Sequence, residues 1–226
     1  MSVWLTYSLG DFLLFSPQTY FRLLELYNRA VWPAQLPAAA LGAALLLLLR
    51  RPGVADGRAI CAILAACWLW VAWAYLHRQY ATINWAADYA AIAFALQAAV
   101  LLALAALGRS VFRVGADLAG LAGLALLLAG LVLLPLLGVT LGRPWQQAPL
   151  FGLAPDPTAV ATLGMALLAA RRRHLALLAA VPLLWTAVSA LTLWAMEAPE
   201  AWALIVAGGM AAAGSCRRLA GRRSSS

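Results

Sequence analysis

The chain has 226 residues, of which 65% are hydrophobic and only 11% charged. Soluble domains are about half apolar and about a quarter charged, so these proportions exclude a water-soluble fold. Sixteen basic residues against eight acidic ones give a formal net charge of +8, and every basic residue is Arg. Without Lys the chain can form neither a retinal Schiff base nor a phosphate-binding P-loop.

Residues 1–32 read as an interfacial segment on the outer side, not as a span. Ser16 and Pro17 suit the N-cap and first position of a helix. From Pro17 to Val31 the apolar residues Tyr20, Leu23, Leu24, Tyr27 and Val31 recur at three- and four-residue steps. Arg22, Glu25 and Arg29 take the opposite face. This pattern predicts an amphipathic helix lying on the membrane surface, with Phe12-Leu13-Leu14-Phe15 dipping into the interface before it. No basic residue precedes Arg22 and Asp11 interrupts the apolar stretch, so no cleavable signal peptide is expected.

Residues 33–216 predict an all-α, polytopic membrane helix bundle of about seven spans. The spans are Pro33–Leu49, Ala59–Leu76, Trp85–Leu107, Leu118–Leu141, Pro157–Ala170, Leu175–Trp194 and Ala201–Ser215. A full span takes about 20 apolar residues, so the fifth and seventh are short. Snorkelling by Arg171, Arg172 and Arg173 would lengthen the fifth. A re-entrant or tilted fifth segment would reduce the count to six.

Seven spans sort the Arg residues. Arg50, Arg51, Arg58, Arg109, Arg113, Arg171, Arg172, Arg173, Arg217, Arg218, Arg222 and Arg223 fall on one side, twelve in all, leaving four on the other: Arg22, Arg29, Arg78 and Arg143. Basic residues in short loops mark the cytoplasmic face. The expected topology is a bacterial inner-membrane protein with its N-terminus outside, its C-terminus inside, and residues 217–226 as a basic cytoplasmic tail. Asp11, Glu25, Asp88, Asp156, Glu197 and Glu200 then gather at the outer face, as do all six Tyr.

Polar groups within or at the ends of spans are the ligand-binding candidates, because they are costly in hydrocarbon. Trp70, Trp73 and His77 share one face at the end of the second span. Asn84 and Asp88 lie one turn apart at the start of the third, which carries Gln97 near its middle. The short 77–84 connection can bring His77, Asn84 and Asp88 together. Asp156 joins them if the fifth span packs beside the third, and Trp73 and Trp85 would supply aromatic walls. Such a cluster favours a cationic or hydrogen-bonding solute. Each residue also has a purely structural use: Asn84 as a cap, Asp88 at a positive helix end, His77 as an interfacial side chain, and Asp156 as the N-cap before Pro157. Thr186, Ser189 and Thr192 form a polar stripe in the sixth span that can line a path or bond neighbouring helices. The Gly120, Gly123 and Gly130 series suits close helix packing.

Other chemistry finds no support. Cys61, Cys67 and Cys216 read as small hydrophobes. His77 outside and His174 inside cannot share a haem. No paired carboxylates lie in the membrane, and no hydrolase or zincin motif is present. The reading is therefore not an enzyme, with no cofactor, no metal and no nucleic-acid partner.

Three stretches carry a resemblance: Tyr7-Ser8-Leu9-Gly10-Asp11-Phe12-Leu13-Leu14-Phe15-Ser16-Pro17 continuing through Tyr20 to Leu26-Tyr27-Asn28; Ile83-Asn84-Trp85-Ala86-Ala87 running on to Phe94-Ala95-Leu96-Gln97; and Ala148-Pro149-Leu150-Phe151-Gly152 followed by Pro155-Asp156-Pro157-Thr158. Together they resemble a family of uncharacterised bacterial multi-pass inner-membrane proteins, a domain of unknown function sometimes loosely labelled permease. Members often carry Cys where this chain has Asp156, so the resemblance implies no thiol-dependent metal role there. It implies a fold and a location, and no activity. The functional expectation is a small permease or solute-binding protein with an outward-facing site. The alternative is a non-catalytic accessory or assembly subunit of a larger membrane complex. The expected partners are the lipid bilayer, a small solute, and a second membrane protein or a further copy of the chain.

Overall fold

The computed structural model describes residues 15–51, 53–108 and 111–220. The expectations for residues 1–14, Arg109, Arg222 and Arg223 lie outside this range.

The described chain is helical, with a single isolated bridge between Phe112 and Ala169 as its only extended pairing. α1 (Pro17–Ala30) starts where the sequence places it: Ser16 is extended and its hydroxyl accepts from Thr19 N at 3.2 Å, with Pro17 in the first turn. After a bend of 93° comes α2 (Gln35–Leu48). α3 (Val54–Trp70) widens into a π-helical stretch over Val71–His77. α4 (Ala87–Leu107) ends at Gly108 in the left-handed conformation, φ 57°. α5 (Leu118–Leu128), capped by the Asp117 side chain on Gly120 N, continues through a π turn at Ala129–Leu133 into α6 (Leu134–Thr140). Pro135 cannot donate to the α-helical ladder, and the π turn directly precedes it. α7 (Pro155–Leu168), α8 (Arg172–Ala195) and α9 (Glu200–Ala220) complete the chain.

Each of the seven expected segments falls on a helix. Four helical stretches are long and apolar enough to cross a membrane: Val54–Thr82, Ala87–Leu107, Leu118–Thr140 and His174–Ala195. The bent pair α1 plus α2 brings the number to five if it counts as one span. The seven-span expectation therefore runs ahead of helix length. α2 and α7 have 14 residues each, about 21 Å of helix against a hydrocarbon core of about 30 Å. α9 has 21 residues but is diluted by Gly208, Gly209, Gly214 and its terminal charges.

α7 is the axis of the molecule. Every residue from Pro155 to Leu168 is buried. Small residues permit this. A Cβ on Gly164 would stand 2.5 Å from Leu127 N, and one on Gly130 would stand 2.5 Å from Pro157 O. α5 and α7 thus touch backbone to backbone, in the manner of small-residue faces in membrane bundles. Hydrogen bonds along α7 tie the layers: Trp68 Nε1 donates to Thr162 Oγ1 at 2.9 Å, and Thr162 Oγ1 donates back to Thr158 O at 2.7 Å. Below, Leu163, Met165, Ala166, Leu167 and Leu168 fill the interior. There the chain closes on itself, with Arg113 N donating to Leu168 O at 2.9 Å and Ala170 N to Val111 O at 2.8 Å. The outward faces are apolar too: Ile92, Leu96, Leu184 and Leu191 are each more than 60% exposed. A chain apolar both inside and out matches a bilayer solvent, not water.

Candidate functional site

α1 lies against the segment leading into α7. Tyr27 Oη donates to Leu153 O at 3.0 Å and accepts from Trp70 Nε1 at 3.0 Å. Asn28 Nδ2 donates to Gln146 O and Ala148 O at 2.8 and 2.9 Å. Leu23 and Leu24 are buried on the same side. On the other side Glu25 is gripped by Arg22 and Arg29.

α7 does not begin as the sequence suggested. Its N-cap is Ala154 and Pro155 opens the helix, so Asp156 is the second helical residue and not the cap. The fixed φ of Pro155 takes the first position. Thr158 serves the turn instead: its hydroxyl accepts from Gly152 N at 2.9 Å and donates to Ala154 O at 2.7 Å. This releases the Asp156 carboxylate to face the bundle. It is 7% exposed, and Oδ1 accepts from Trp185 Nε1 at 2.8 Å. Ser189, one turn along α8, also hydrogen-bonds to it.

Two clefts flank this point and share Tyr20 and Leu193 as a common wall. The first is narrow, with a cavity volume of about 40 Å³. Asp156, Arg143 and Glu200 line it together with Phe21, Val139 and Leu204. Arg143 pairs with Glu200 and lies over the Phe21 ring, 3.7 Å from its centroid. Partial burial lowers the Arg143 pKa from its ordinary value. Glu200 Oε2 is buried without a hydrogen-bond partner among the described residues. The second cleft, about 90 Å³, is lined by Tyr75, Tyr80, Asn84, Trp185, Ser189 and Thr192. Its tyrosines pack as a cluster, with Tyr75 and Tyr80 stacked at 5.9 Å and Tyr20 edge-on to Tyr80 at 6.1 Å.

The sequence candidates divide. His77 Nδ1 and Asp88 Oδ1 meet at 2.7 Å, but both side chains are more than half exposed, away from the buried surroundings of Asp156. Asn84 Oδ1 accepts from Ala86 N at 3.0 Å, a local turn, while the residue also lines the second cleft. Gln97 is buried and its Nε2 donates to Leu177 O at 3.3 Å, tying α4 to α8. Trp73 is exposed beneath Arg78, 5.6 Å from its ring centroid, and Trp85 is exposed against Tyr89. Thr186 and Thr192 donate to carbonyls of their own helix. Sequence reasoning missed Arg143, Glu200, Tyr20 and Trp185 as members of one site. They come from separate parts of the chain, and no periodicity links them.

Residues 17–222 match the family of unknown function DUF6064. The chain belongs to this family. No curated protein and no solved structure matches it. The DUF6064 match takes in α1 through α9, so both clefts lie within the family unit. In this DUF6064 chain the buried Asp156 carboxyl, its Trp185 partner and the aromatic side chains of Tyr20 and Phe21 lie beside a narrow cleft.

Proposed function

We propose that this DUF6064 protein is a multi-pass inner-membrane protein that binds a small solute at an outward-facing site, as a permease or solute-binding protein. Its N-terminus is outside, α1 lies along the outer surface, and its C-terminus is cytoplasmic. The observation that carries the reading is the buried Asp156 carboxylate at the head of the wholly buried α7, bordering a narrow cleft. A buried ionisable group is costly in a membrane bundle, and such groups are functional candidates there by default.

An accessory subunit would have a filled interior at this level. The second cleft instead reaches Ser189 and Thr192 of the polar stripe on α8. The packed lower half of α7 supports access from the outer side alone in this conformation. The Arg distribution supports the orientation.

The test is thiol accessibility. Thr192→Cys, in a chain with Cys61, Cys67 and Cys216 replaced, should react in intact cells or right-side-out vesicles with a membrane-impermeant methanethiosulfonate. Leu163→Cys, at 1% exposure in the packed half, should not. Reaction of Thr192→Cys only in inverted vesicles would reject the outward-facing site.

A further inference from the structure

We infer that α6 is a gate on the first cleft, turning about the π turn at Ala129–Leu133 and latched at its far end by the Arg143–Glu200 ion pair. This rests on the outward-facing site proposed above and supplies the movement by which that site opens. The first cleft measures about 40 Å³, a volume that a few waters fill. A larger solute enters only if one wall moves, and three features make α6 that wall.

The first is a hinge with one fixed side. A Cβ on Gly130, in the π turn, would stand 2.5 Å from Pro157 O and 2.6 Å from Ala161 N. The turn is therefore seated on the α7 backbone. Directly beyond it Pro135 has no N–H to donate, so the helix crosses this point with one hydrogen bond fewer. A π turn and a proline are both places where helices bend.

The second is the segment that would swing. α6 has seven residues. Leu134, Gly138 and Val139 line the cleft, while Leu136 and Thr140 are exposed. Lipid chains are as apolar as Leu, so tilting α6 outward exchanges one apolar contact for another.

The third is the latch. α6 ends in a Schellman motif: Gly142 has φ 89°, its N–H donates to Val139 O at 3.0 Å, and Arg143 N donates to Gly138 O at 2.9 Å. This cap sets Arg143 just past the helix, with its guanidinium on Glu200, the first residue of α9, and over the Phe21 ring of α1. Gly138 leaves room beneath the pair, since a Cβ there would lie 3.5 Å from Glu200 Oε1. Among the described residues no other side-chain hydrogen bond or ion pair joins residues 134–143 to another element. One side chain thus ties the free end of α6 to both α9 and α1. When α6 lifts, both charged groups meet water, where an ion pair contributes little, and neither charge is left stranded.

The test is a pair of spin-label distances in the full chain, with Cys61, Cys67 and Cys216 replaced, in nanodiscs. Labels at Thr140→Cys and Ile92→Cys report α6 against α4. Labels at Ile92→Cys and Leu191→Cys report α4 against α8. The expected result is one α6 distance in the parent chain and in R143K, which keeps the positive charge. R143Q and E200Q should each add a second α6 distance displaced by roughly 5 Å, about half the length of α6, with the α4–α8 distance unchanged. The two variants break the pair from opposite ends, so misfolding of one leaves the other to decide. An unaltered α6 distance in R143Q and E200Q would overturn the latch, and equal broadening of the α4–α8 distance would show general loosening in place of a gate. Nanodiscs are open on both faces, so these distances test the gate whichever way the cleft points. Failure of Thr192→Cys to react from outside would instead reject the outward-facing site.

Discussion

At Glu25 two guanidinium groups hold one carboxylate, with Arg22 at 2.8 Å and Arg29 at 2.7 Å. The hydrogen bond from Arg22 is the main reason its carboxyl titrates below the ordinary 4.5. Partial desolvation opposes this, while Gln147 and the two positive charges add to it. A folded value below the unfolded one means that the unfolded chain binds the proton more readily. The stabilisation is complete above about pH 4.5 and is lost as pH falls through the lower folded value. Amide exchange in α1 should accelerate across that acid window. E25Q should exchange faster at neutral pH and show a flatter acid response, and an unaltered acid profile in E25Q would contradict this. The His77–Asp88 pair makes the opposite case. Both side chains are more than half exposed, and exposed pairs contribute about 0–1 kcal/mol. D88N should leave the melting temperature nearly unchanged, and a large loss would contradict this.

Element by element, helix existence was legible in the sequence because long apolar runs and Ser16-Pro17 carry local signals. The site was legible only in part. Asp156 was picked out by its proline-flanked position, yet its neighbours Arg143, Glu200, Tyr20 and Trp185 come from three helices and a loop. They meet only because α7 sinks fully into the bundle. The sequence cannot announce that depth, since Ala and Thr suit a lipid-facing or a buried helix alike. His77 and Asp88 were brought together correctly by a short hairpin, but a short hairpin says nothing about whether the pair faces inward. Two predictions belong here. Gly164→Ala places a Cβ against the α5 backbone, where nothing flexible can give way. Overpacking of this kind costs about 1–3 kcal/mol or more, so the melting temperature in detergent should fall, and an unchanged value would contradict the backbone contact. Tyr27→Phe removes the hydroxyl that joins Leu153 to Trp70. Leaving those partners unsatisfied costs about 1–3 kcal/mol, and hydrogen exchange should show α1 loosened while α4 and α8 are unaffected.

For the whole molecule, α7 is packed closed toward Leu168 while the two clefts lie at the half around Asp156. Under the Arg-based topology the clefts face the outside and the Arg218–Ala169 and Arg172–Leu219 contacts, at 2.8 and 2.6 Å, brace the cytoplasmic end. A C-terminal alkaline phosphatase fusion should be inactive and a C-terminal fluorescent fusion bright. The reverse pattern would invert the topology. The most direct test of an outward, negatively charged cleft is a pair of labelling rates at Val139→Cys, at the mouth beside Asp156 and Glu200, in a chain lacking the native cysteines. In right-side-out vesicles a cationic methanethiosulfonate should react faster than an anionic one, and D156N or E200Q should reduce that preference. No reaction from outside, or equal rates for the two reagents, would contradict the account.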